Sequence, residues 1–257
     1  MSSKVLTIAF ALTVMTIAFM NANVAEALSV VTDGLVSYWS LDEETIKDHT
    51  VEDVFGENDG TIKGDPQIVK GKFGEALKFD GEDDCVAIGN VPALAGEKVT
   101  ITAWVCWEGG TGDYDPIVTQ SDANWAGYYF YIYVSEYPEH LAFWLDDTEA
   151  LSSSTFPVDE WHFVAGTHDG TTLRVYIDGV LEGTEAKTGA GLSKTGYIGF
   201  DDYTPDPQYF KGIIDEVAIY DRVLSEDEII QNMNAEGMAV VSGGKLLAET
   251  WGKIKYE

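Results

Sequence analysis

Residues 159–183 read DEWHFVAGTHDGTTLRVYIDGVLEG, and their pattern predicts a β-hairpin. An apolar run that ends at Ile177 enters the pair Asp178-Gly179, and a second run leaves the pair at Val180. Asp-Gly tolerates the positive backbone φ angles of a two-residue turn, so it is a strong hairpin signal between apolar runs. The stretch therefore predicts two neighbouring antiparallel strands.

Strand-like alternation of this kind continues from Leu35 onward, with almost no helical periodicity before residue 225. In residues 99–107, apolar side chains alternate with a mixed set, which predicts one fully apolar face. Asp-Gly pairs recur beside such runs, at Asp33, Asp59, Asp80, Asp169 and Asp178. The spacing of runs and turns predicts roughly ten to twelve strands. We therefore expect an all-β fold, an antiparallel sandwich of two packed sheets.

One short helix is expected near the C-terminus. Ser225 stands three residues before Glu228, which is the spacing of a capping box, and Gly237 is a stop signal. An apolar stripe supplies the buried face of this helix: Ile229, Ile230 and Met233. Residues 237–257 are interpreted as a C-terminal appendage, either an edge strand, a contact tail or a loosely ordered terminus.

The first 27 residues have the pattern of an export signal. An apolar run covers residues 5–20, and Ala25-x-Ala27 fits a signal-peptidase site. The run is shorter than the roughly 20 residues that a membrane-spanning helix needs, although a retained anchor is the alternative. We expect cleavage after Ala27, one folded domain over residues 28–236, and a secreted, cell-surface or periplasmic location.

Charge and composition limit the classes of partner. The chain has 15 Lys and Arg residues and 44 Asp and Glu residues, which gives a formal net charge of −29. Such a surface repels nucleic acid and anionic lipid headgroups. The hydrophobic fraction of 45% argues against disorder caused by low hydrophobicity. We expect a glycan or an extracellular protein as partner, with no nucleic acid and no membrane insertion after signal cleavage. The sequence gives no expectation about the oligomeric state.

Cys85 and Cys106 are the only cysteines. In an oxidising compartment an even pair can close a disulfide. The bond requires Cα atoms about 4.4 to 6.8 Å apart, a condition that the sequence leaves open. If it forms, the closed loop of about 20 residues corresponds to roughly 3 kcal/mol of stabilisation.

Five segments together resemble the laminin-G-like jelly-roll family of concanavalin A-like folds. In chain order they are GLVSYWSLDE (34–43), GKFGEALKFDGEDDCVAIGN (71–90), VTITAWVCW (99–107), DEWHFVAGTHDGTTLRVYIDGVLEG (159–183) and GIIDEVAIYDRVLSEDEI (212–229). The resemblance implies a two-sheet jelly-roll sandwich. It implies little about function, because this fold carries lectins, adhesion modules, pentraxin-like binders and glycosidases.

The last predicted strand contains two consecutive acids. Strict alternation places Asp215 on one face, with Val217, and Glu216 on the other, so that one acid lies against apolar neighbours. An unpaired buried carboxylate is costly, and a hard cation held by oxygen ligands would relieve the cost. The alternative is that Asp215 only accepts backbone hydrogen bonds at a sheet edge.

The resemblance makes this cation hypothesis more specific. Related lectin and laminarinase-type folds hold a structural calcium between the end of the first strand and an Asp of the last strand, and Asp42 and Asp215 match those places. Backbone carbonyls around Asp80-Gly81 are a further expected contribution to the shell. The sequence therefore predicts a calcium site formed by Asp42, Asp215 and the Asp80 turn.

A catalytic role is not expected. Hydrolases of this fold carry paired acids in one strand, of the type Glu-x-Asp-x-x-Glu, and no predicted strand here has that pattern. Loops instead combine aromatic rings with amide and carboxylate groups, which suit sugar rings and hydroxyls. The ligand-binding candidates are Trp125, Asn124, Asp122 and Tyr203. The sequence favours a secreted non-catalytic binding module for carbohydrate or matrix glycan, with a structural or adhesive surface protein and a glycoside hydrolase as alternatives.

Overall fold

The computed structural model describes residues 29–110, 112–122, 126–135, 139–202, 206–235 and 237. Within these residues, two 3-10 turns, Glu43–Thr45 and Pro92–Ala95, and one α-helix, α1 (Glu226–Asn234), accompany the strands. The strands are β1 Leu35–Trp39, β2 Ile46–Lys47, β3 Thr50–Val51, β4 Gly60–Lys63, β5 Gln67–Lys70, β6 Glu75–Asp80, β7 Cys85–Gly89, β8 Val99–Trp107, β9 Tyr114–Ser121, β10 Gly127–Tyr133, β11 His140–Leu145, β12 Thr148–Thr155, β13 Trp161–His168, β14 Thr172–Ile177, β15 Val180–Ala186, β16 Gly196–Ile198, β17 Phe200–Asp201, β18 Gln208–Tyr209 and β19 Lys211–Tyr220.

Two large antiparallel sheets form the sandwich. The eight-stranded sheet has the order β15-β14-β13-β8-β19-β6-β5, and β1 pairs with β19 outside this path. The nine-stranded sheet has the order β12-β11-β10-β9-β16-β7-β4-β3-β2. The strands β17 and β18 pair only with each other and form a short hairpin that belongs to neither large sheet. This architecture confirms the expected all-β jelly-roll sandwich with one short helix.

The main core lies between the inner faces of the two sheets. Side chains from β8 and β19 of the eight-stranded sheet meet those of β10 and β11 from the nine-stranded sheet in one buried cluster. The apolar face predicted in residues 99–107 lies entirely in this cluster, because alternate residues of a strand point to the same side of a sheet. Trp39 is fully buried there as well.

A second apolar layer covers the outer face of the eight-stranded sheet. Trp104, Phe163 and Tyr220 from this face pack with Val31 near the start of the described chain and with Ile229 of α1. The layer explains why both faces of β8 are buried along its whole length. Trp161 packs against this second layer and is only partly buried, whereas Trp39 belongs to the main core.

Local signals in the sequence are matched by the local structure. Asp178 and Gly179 adopt positive φ angles between the paired residues Ile177 and Val180, as expected for a two-residue hairpin. Ser225 and Glu228 form the predicted capping box at the start of α1.

The end and the buried face of α1 differ from the sequence-based expectation. The helix ends at Asn234, before Gly237, and Ile230 is exposed beside the β14–β15 turn while Ile229 is buried. The buried face is therefore narrower than the expected apolar stripe. The part of the chain that the structure describes contains no helix long and apolar enough to cross a membrane.

The fold argues against the possible disulfide between Cys85 and Cys106. Cys85 and Cys106 are both buried and both free. Cys85 lies in β7 of the nine-stranded sheet and Cys106 in β8 of the eight-stranded sheet. Their neighbours Val86 and Val105 point into the main core, so alternation turns each thiol toward the outer side of its own sheet. The two thiols therefore point away from each other on opposite layers.

Candidate functional site

Asp42 and Asp215 come together at the turn that precedes β6. Asp42 follows β1, and its Oδ1 accepts a hydrogen bond from Glu75 N at 2.8 Å. Asp215 lies in β19, and its Oδ2 accepts from Lys72 N at 2.9 Å and from Phe73 N at 3.2 Å. The structure thus brings together the two acids that the sequence assigned to a calcium site, one at each end of this turn.

The turn can approach the two acids closely because it contains glycine. A Cβ atom at Gly74 would lie 2.3 Å from Asp42 Oδ1, and Gly74 has a φ of +48°. Both observations disfavour any side chain at this position. The segment GKFGE therefore supplies backbone amides to two carboxylates within five residues.

A β-bulge sets the directions of the two consecutive acids in β19. The pairing with β8 shifts between Asp215 and Ala218, and Glu216 has a φ of +54°. Ile214 and Val217 both contribute to the main core, so the strict alternation assumed from the sequence is wrong at this point. Asp215 instead reaches the turn before β6, and Glu216 enters a small cavity beneath α1.

The electrostatic environment of Asp215 is unfavourable for a bare carboxylate. The residue is fully buried, and its Oδ1 has no hydrogen-bond partner. Burial raises the pKa of Asp215 to about 8, and repulsion from Asp42 acts in the same direction. Burial also raises the pKa of Asp42. An unpartnered buried oxygen next to a second acid fits part of the shell of about six to eight oxygen ligands that calcium takes.

Asp80 is not part of this pair. It ends β6, whereas Glu75, which contacts Asp42, begins the same strand. Six residues of strand place the two ends about 17 Å apart. The expected contribution of the Asp80-Gly81 turn to the calcium shell is therefore wrong. The start of β6 faces the two acids, whereas the Asp80-Gly81 turn follows the other end of the strand, and the sequence alone does not show which end faces the site.

Asp80 belongs to a different acidic turn. Its Oδ1 accepts hydrogen bonds from Glu82 N and Asp83 N. Nearby, Asp65, Asp83 and Asp84 bring carboxylate oxygens within 4.8 Å of one another. Asp84 is buried and accepts from the backbone amides of Asp65 and Asp80, so backbone donors already serve this carboxylate.

A polar cleft opens at the end of the sandwich where β6 and β8 finish and β9 begins. It has a volume of about 520 Å³. Of the described residues that line it, the acids are Asp80, Glu82, Asp115 and Asp206, and the only basic one is Lys211. Gln208 and Tyr209 of β18 form another wall. The cleft therefore combines one aromatic ring, one amide and several carboxylates around a space of small-molecule size.

Asp115 is the buried acid of the cleft. It is 1% exposed, and Trp107 Nε1 donates a hydrogen bond to its Oδ2 at 2.5 Å. A Cβ atom at position 110 would lie 2.2 Å from Asp115 Oδ1, so Gly110 leaves the space that the carboxylate fills. Burial raises the pKa of Asp115 to about 6, against the hydrogen bonds from Trp107 and the Lys211 backbone. A perturbed acid in a cleft is typical of a functional site.

The β17–β18 hairpin connects this cleft to the outer face of the nine-stranded sheet. Asp201 pairs with Gln208 across the hairpin, and its carboxylate accepts hydrogen bonds from Tyr114 Oη and Ser121 Oγ. Burial raises the pKa of Asp201 to about 6. The hairpin is therefore fixed to β9 through a buried acid.

Of the four ligand-binding candidates predicted from the sequence, the structure describes one, Asp122. Asp122 follows β9, and its Oδ1 accepts from Ala126 N at 3.3 Å while its carbonyl accepts from Tyr129 Oη at 3.0 Å. Its side chain thus shapes the turn at the end of β9. Asn124, Trp125 and Tyr203 lie outside the residues that the structure describes.

The sequence reading missed Asp115. The residue lies at the start of a strand of mostly uncharged residues, YDPIVTQS, and an acid in such a position is a signal of burial. Asp115 becomes a residue of the cleft through contacts with Trp107 and Lys211, and strand pairing between distant segments brings these residues to it. No local motif marks such a contact.

Comparison with solved structures shows that this fold is shared with proteins of several activities. Domain 4 of AbnA, an extracellular arabinanase of glycoside hydrolase family 43 from Geobacillus stearothermophilus, solved with arabinotriose, has a TM-score of 0.61 at 20% identity, over 78% of this chain and 98% of that domain. Trypanosoma rangeli sialidase has a TM-score of 0.64 at 17% identity, over 81% of this chain but only 34% of the sialidase. The binding domain of botulinum neurotoxin serotype C1 has a TM-score of 0.58 at 17% identity, over 79% of this chain and 52% of that domain.

These identities establish similarity of fold alone. The chain spans about a third of the sialidase chain, so the activity of that enzyme is not transferred with the fold. No curated protein matches the sequence significantly. A family model described as the concanavalin A-like lectin/glucanase superfamily, of the laminin-G type, matches residues 80–230, which is more than half of the chain. The protein is a member of the concanavalin A-like lectin/glucanase superfamily.

Proposed function

We propose that the protein is a secreted, non-catalytic glycan-binding module whose ligand occupies the polar cleft beside the β17–β18 hairpin. The observation that carries the proposal is the cleft of about 520 Å³ with Asp115, Gln208 and Tyr209 in its walls. Sugars present apolar ring faces and many hydroxyl groups. An aromatic ring, an amide and carboxylates are the groups that meet these two features.

Each wall of the cleft has a distinct part in this binding. The half-buried ring of Tyr209 packs against Phe200 at a centroid distance of 4.7 Å, which fixes one side of Tyr209 and leaves another for a sugar ring. Gln208 Oε1 accepts a hydrogen bond from Asp113 N, so the amide is held in one orientation. A preorganised wall loses less entropy when a ligand binds.

Calcium has a structural part in the proposal. Asp42 and Asp215 would hold the ion, with Asp215 Oδ1 as the buried oxygen that the protein leaves without a partner. The ion would supply positive charge between two acids and fix the turn that precedes β6. Because this turn lies at the opposite end of β6 from the cleft, calcium is proposed to stabilise the fold and not to contact the glycan.

A non-catalytic role suits the chemistry of the cleft. Glycoside hydrolysis needs two carboxyl groups placed on either side of the scissile bond. Asp115 is engaged by Trp107, and Asp80 accepts from two amides of its own turn. We also propose that the export signal of residues 1–27 is removed and that residues 28–236 form the secreted domain, with residues 237–257 as an appendage.

A glycan array with the full secreted protein tests the proposal, followed by calorimetry on the best ligand. Tyr209→Ala is expected to weaken binding by about tenfold, or about 1.4 kcal/mol, because the variant removes the apolar ring face on which a sugar ring would pack. Tyr197→Ala is the matched control, since Tyr197 packs on the same Phe200 ring but does not line the cleft. Absence of any bound glycan, or equal effects of the two variants, would reject the cleft as the site. Release of reducing sugar from a bound polysaccharide would reject the non-catalytic role.

A further inference from the structure

We infer that the cleft prefers glycans that carry an unacetylated amino group, and this inference rests on the proposed glycan-binding function. The cleft is a defined cavity with an aromatic wall and an oriented amide, and its ionisable groups are strongly biased in sign. In the part of the chain that the structure describes, four carboxylates line it against one ammonium group, that of Lys211. A protonated sugar amine would find complementary charge there, whereas a sialic or uronic acid would be repelled.

The burial of one carboxylate inside the cleft supports the selection of an ammonium group over a neutral sugar. Asp115 lies 1% exposed at the wall of the cleft, whereas Asp80, Glu82 and Asp206 are exposed around it. The carboxylates therefore occur both inside and at the entrance of the same space. A charge held in a partly desolvated cleft interacts more strongly than one on an open surface, because less water screens it.

The single basic residue does not cancel this bias. The side chain of Lys211 runs along Gly81, where its Cβ, Cγ and Cδ lie 3.0 to 3.5 Å from the position of an added Cβ. Burial raises the pKa of Asp115 to about 6, and the charge of Lys211 opposes this rise only as the smallest contribution. Among the described residues that line the cleft, Lys211 is therefore one cation against four carboxylates, three of which are exposed.

Matched oligosaccharides give a direct test. The trimers of glucosamine and of N-acetylglucosamine share one backbone and differ in the charge of the amine. Calorimetry with the full secreted protein is done at about pH 6.5, where the amine is protonated, the exposed carboxyl groups are ionised and Asp115, whose pKa is raised by burial to about 6, is mostly ionised as well. We expect the glucosamine trimer to bind about tenfold more tightly at low salt, with the preference decreasing as salt is added.

Variants at the entrance separate the cleft from the general charge of the protein. Glu82→Gln and Asp206→Asn remove exposed carboxylates of the cleft without touching the core, and each is expected to reduce the preference several-fold. Glu185→Gln is the matched control, because it removes an exposed carboxylate of β15, at the edge of the eight-stranded sheet that lies far from β6 and the cleft.

The outcomes distinguish the inference from the function on which it rests. Equal affinity for the two trimers, or a preference for the acetylated one, overturns the charge selection but leaves glycan binding intact. If Glu185→Gln reduces the preference as much as Glu82→Gln does, or if Tyr209→Ala leaves the preference unchanged, the attraction comes from the whole acidic surface and the inference is overturned. Absence of binding by every glycan rejects both.

Discussion

Asp42 and Asp215 bind the same turn, since Asp42 Oδ1 accepts from Glu75 N at 2.8 Å and Asp215 Oδ2 accepts from Lys72 N at 2.9 Å. We predict that calcium stabilises the protein through this pair. At about 100 times its dissociation constant, an ion that binds only the folded state adds roughly 2.7 kcal/mol. Thermal unfolding of chelator-treated protein, with and without calcium at constant ionic strength, measures the effect.

The residue dependence of this effect identifies the site. Asp215→Asn is expected to remove most of the calcium-induced rise in melting temperature, and the wild-type response to magnesium is expected to be small, because magnesium needs a tighter octahedral shell. Asp83→Asn is the control, because Asp83 belongs to the separate carboxylate group with Asp65 and Asp84. If Asp83→Asn abolishes the rise and Asp215→Asn does not, the assignment to Asp42 and Asp215 is incorrect.

We predict two titratable thiols in oxidised, denatured protein. Cys85 and Cys106 belong to opposite sheets and face away from each other, which leaves no path for a bond. In the folded protein both should react slowly, since burial raises the pKa of Cys85 to about 11 and raises the pKa of Cys106 as well. Ellman titration with and without denaturant measures both points. A thiol-free oxidised protein would contradict the sheet assignment.

The stability of the protein is predicted to fall as the pH rises from about 4 to about 6. Burial raises the pKa of Asp115 and of Asp201 to about 6, above the ordinary value of 3.8 that the unfolded chain has. In this window the folded state keeps protons that the unfolded state has lost, so increasing pH favours unfolding, by roughly 2 to 3 kcal/mol for each group.

Asp201→Asn tests this pH dependence. The variant keeps an oxygen acceptor for Tyr114 and Ser121 but has no proton to lose. Its free energy of unfolding, measured by urea titration at several pH values, should vary less than that of the wild type between pH 4 and 6. Parallel curves for the two proteins would show that Asp201 titrates normally.

We predict that Ser225→Ala destabilises the protein by about 1 kcal/mol, the usual value of a lost N-cap. Ser225 Oγ accepts from Glu228 N, and the Glu228 carboxylate accepts from Ser225 N at 2.8 Å. Because α1 covers the second apolar layer, the loss should reach global stability in urea titration. Ser193→Ala, at an exposed position, serves as the reference and should change little. Equal stabilities of the two variants would show that the cap contributes nothing.

Features that depend on neighbours in the sequence could be predicted well. The Asp178-Gly179 turn, the apolar face of β8 and the capping box at Ser225 each rely on residues a few positions apart. Their physical causes are backbone φ preference, the two-residue period of a strand and the unpaired amides of a helix start. The resemblance to laminin-G-like folds then predicted the two-sheet sandwich that these local elements form.

Features that depend on pairing between distant segments could not be predicted. The bulge at Asp215 and Glu216 changed which side each acid faces, and alternation alone cannot detect an extra residue in a strand. Cys85 and Cys106 are close in sequence but lie in different sheets. Asp115 became a site residue only through contacts with segments that the fold brings to it.

The pairing of β1 with β19 has a mechanical consequence. Leu35 at the start of β1 lies opposite Tyr220 at the end of β19, so the chain enters and leaves the sandwich at one corner. A force that pulls on both termini would therefore load this antiparallel pair one hydrogen bond at a time, as in the opening of a zipper, and not in shear along the strands. The first contacts to bear the tension would be those that hold the segment before β1, among them Val31 N to Asn232 Oδ1 and Arg222 to Asp33. A module attached by its two ends to larger structures would give way at this corner before the core between the sheets is exposed.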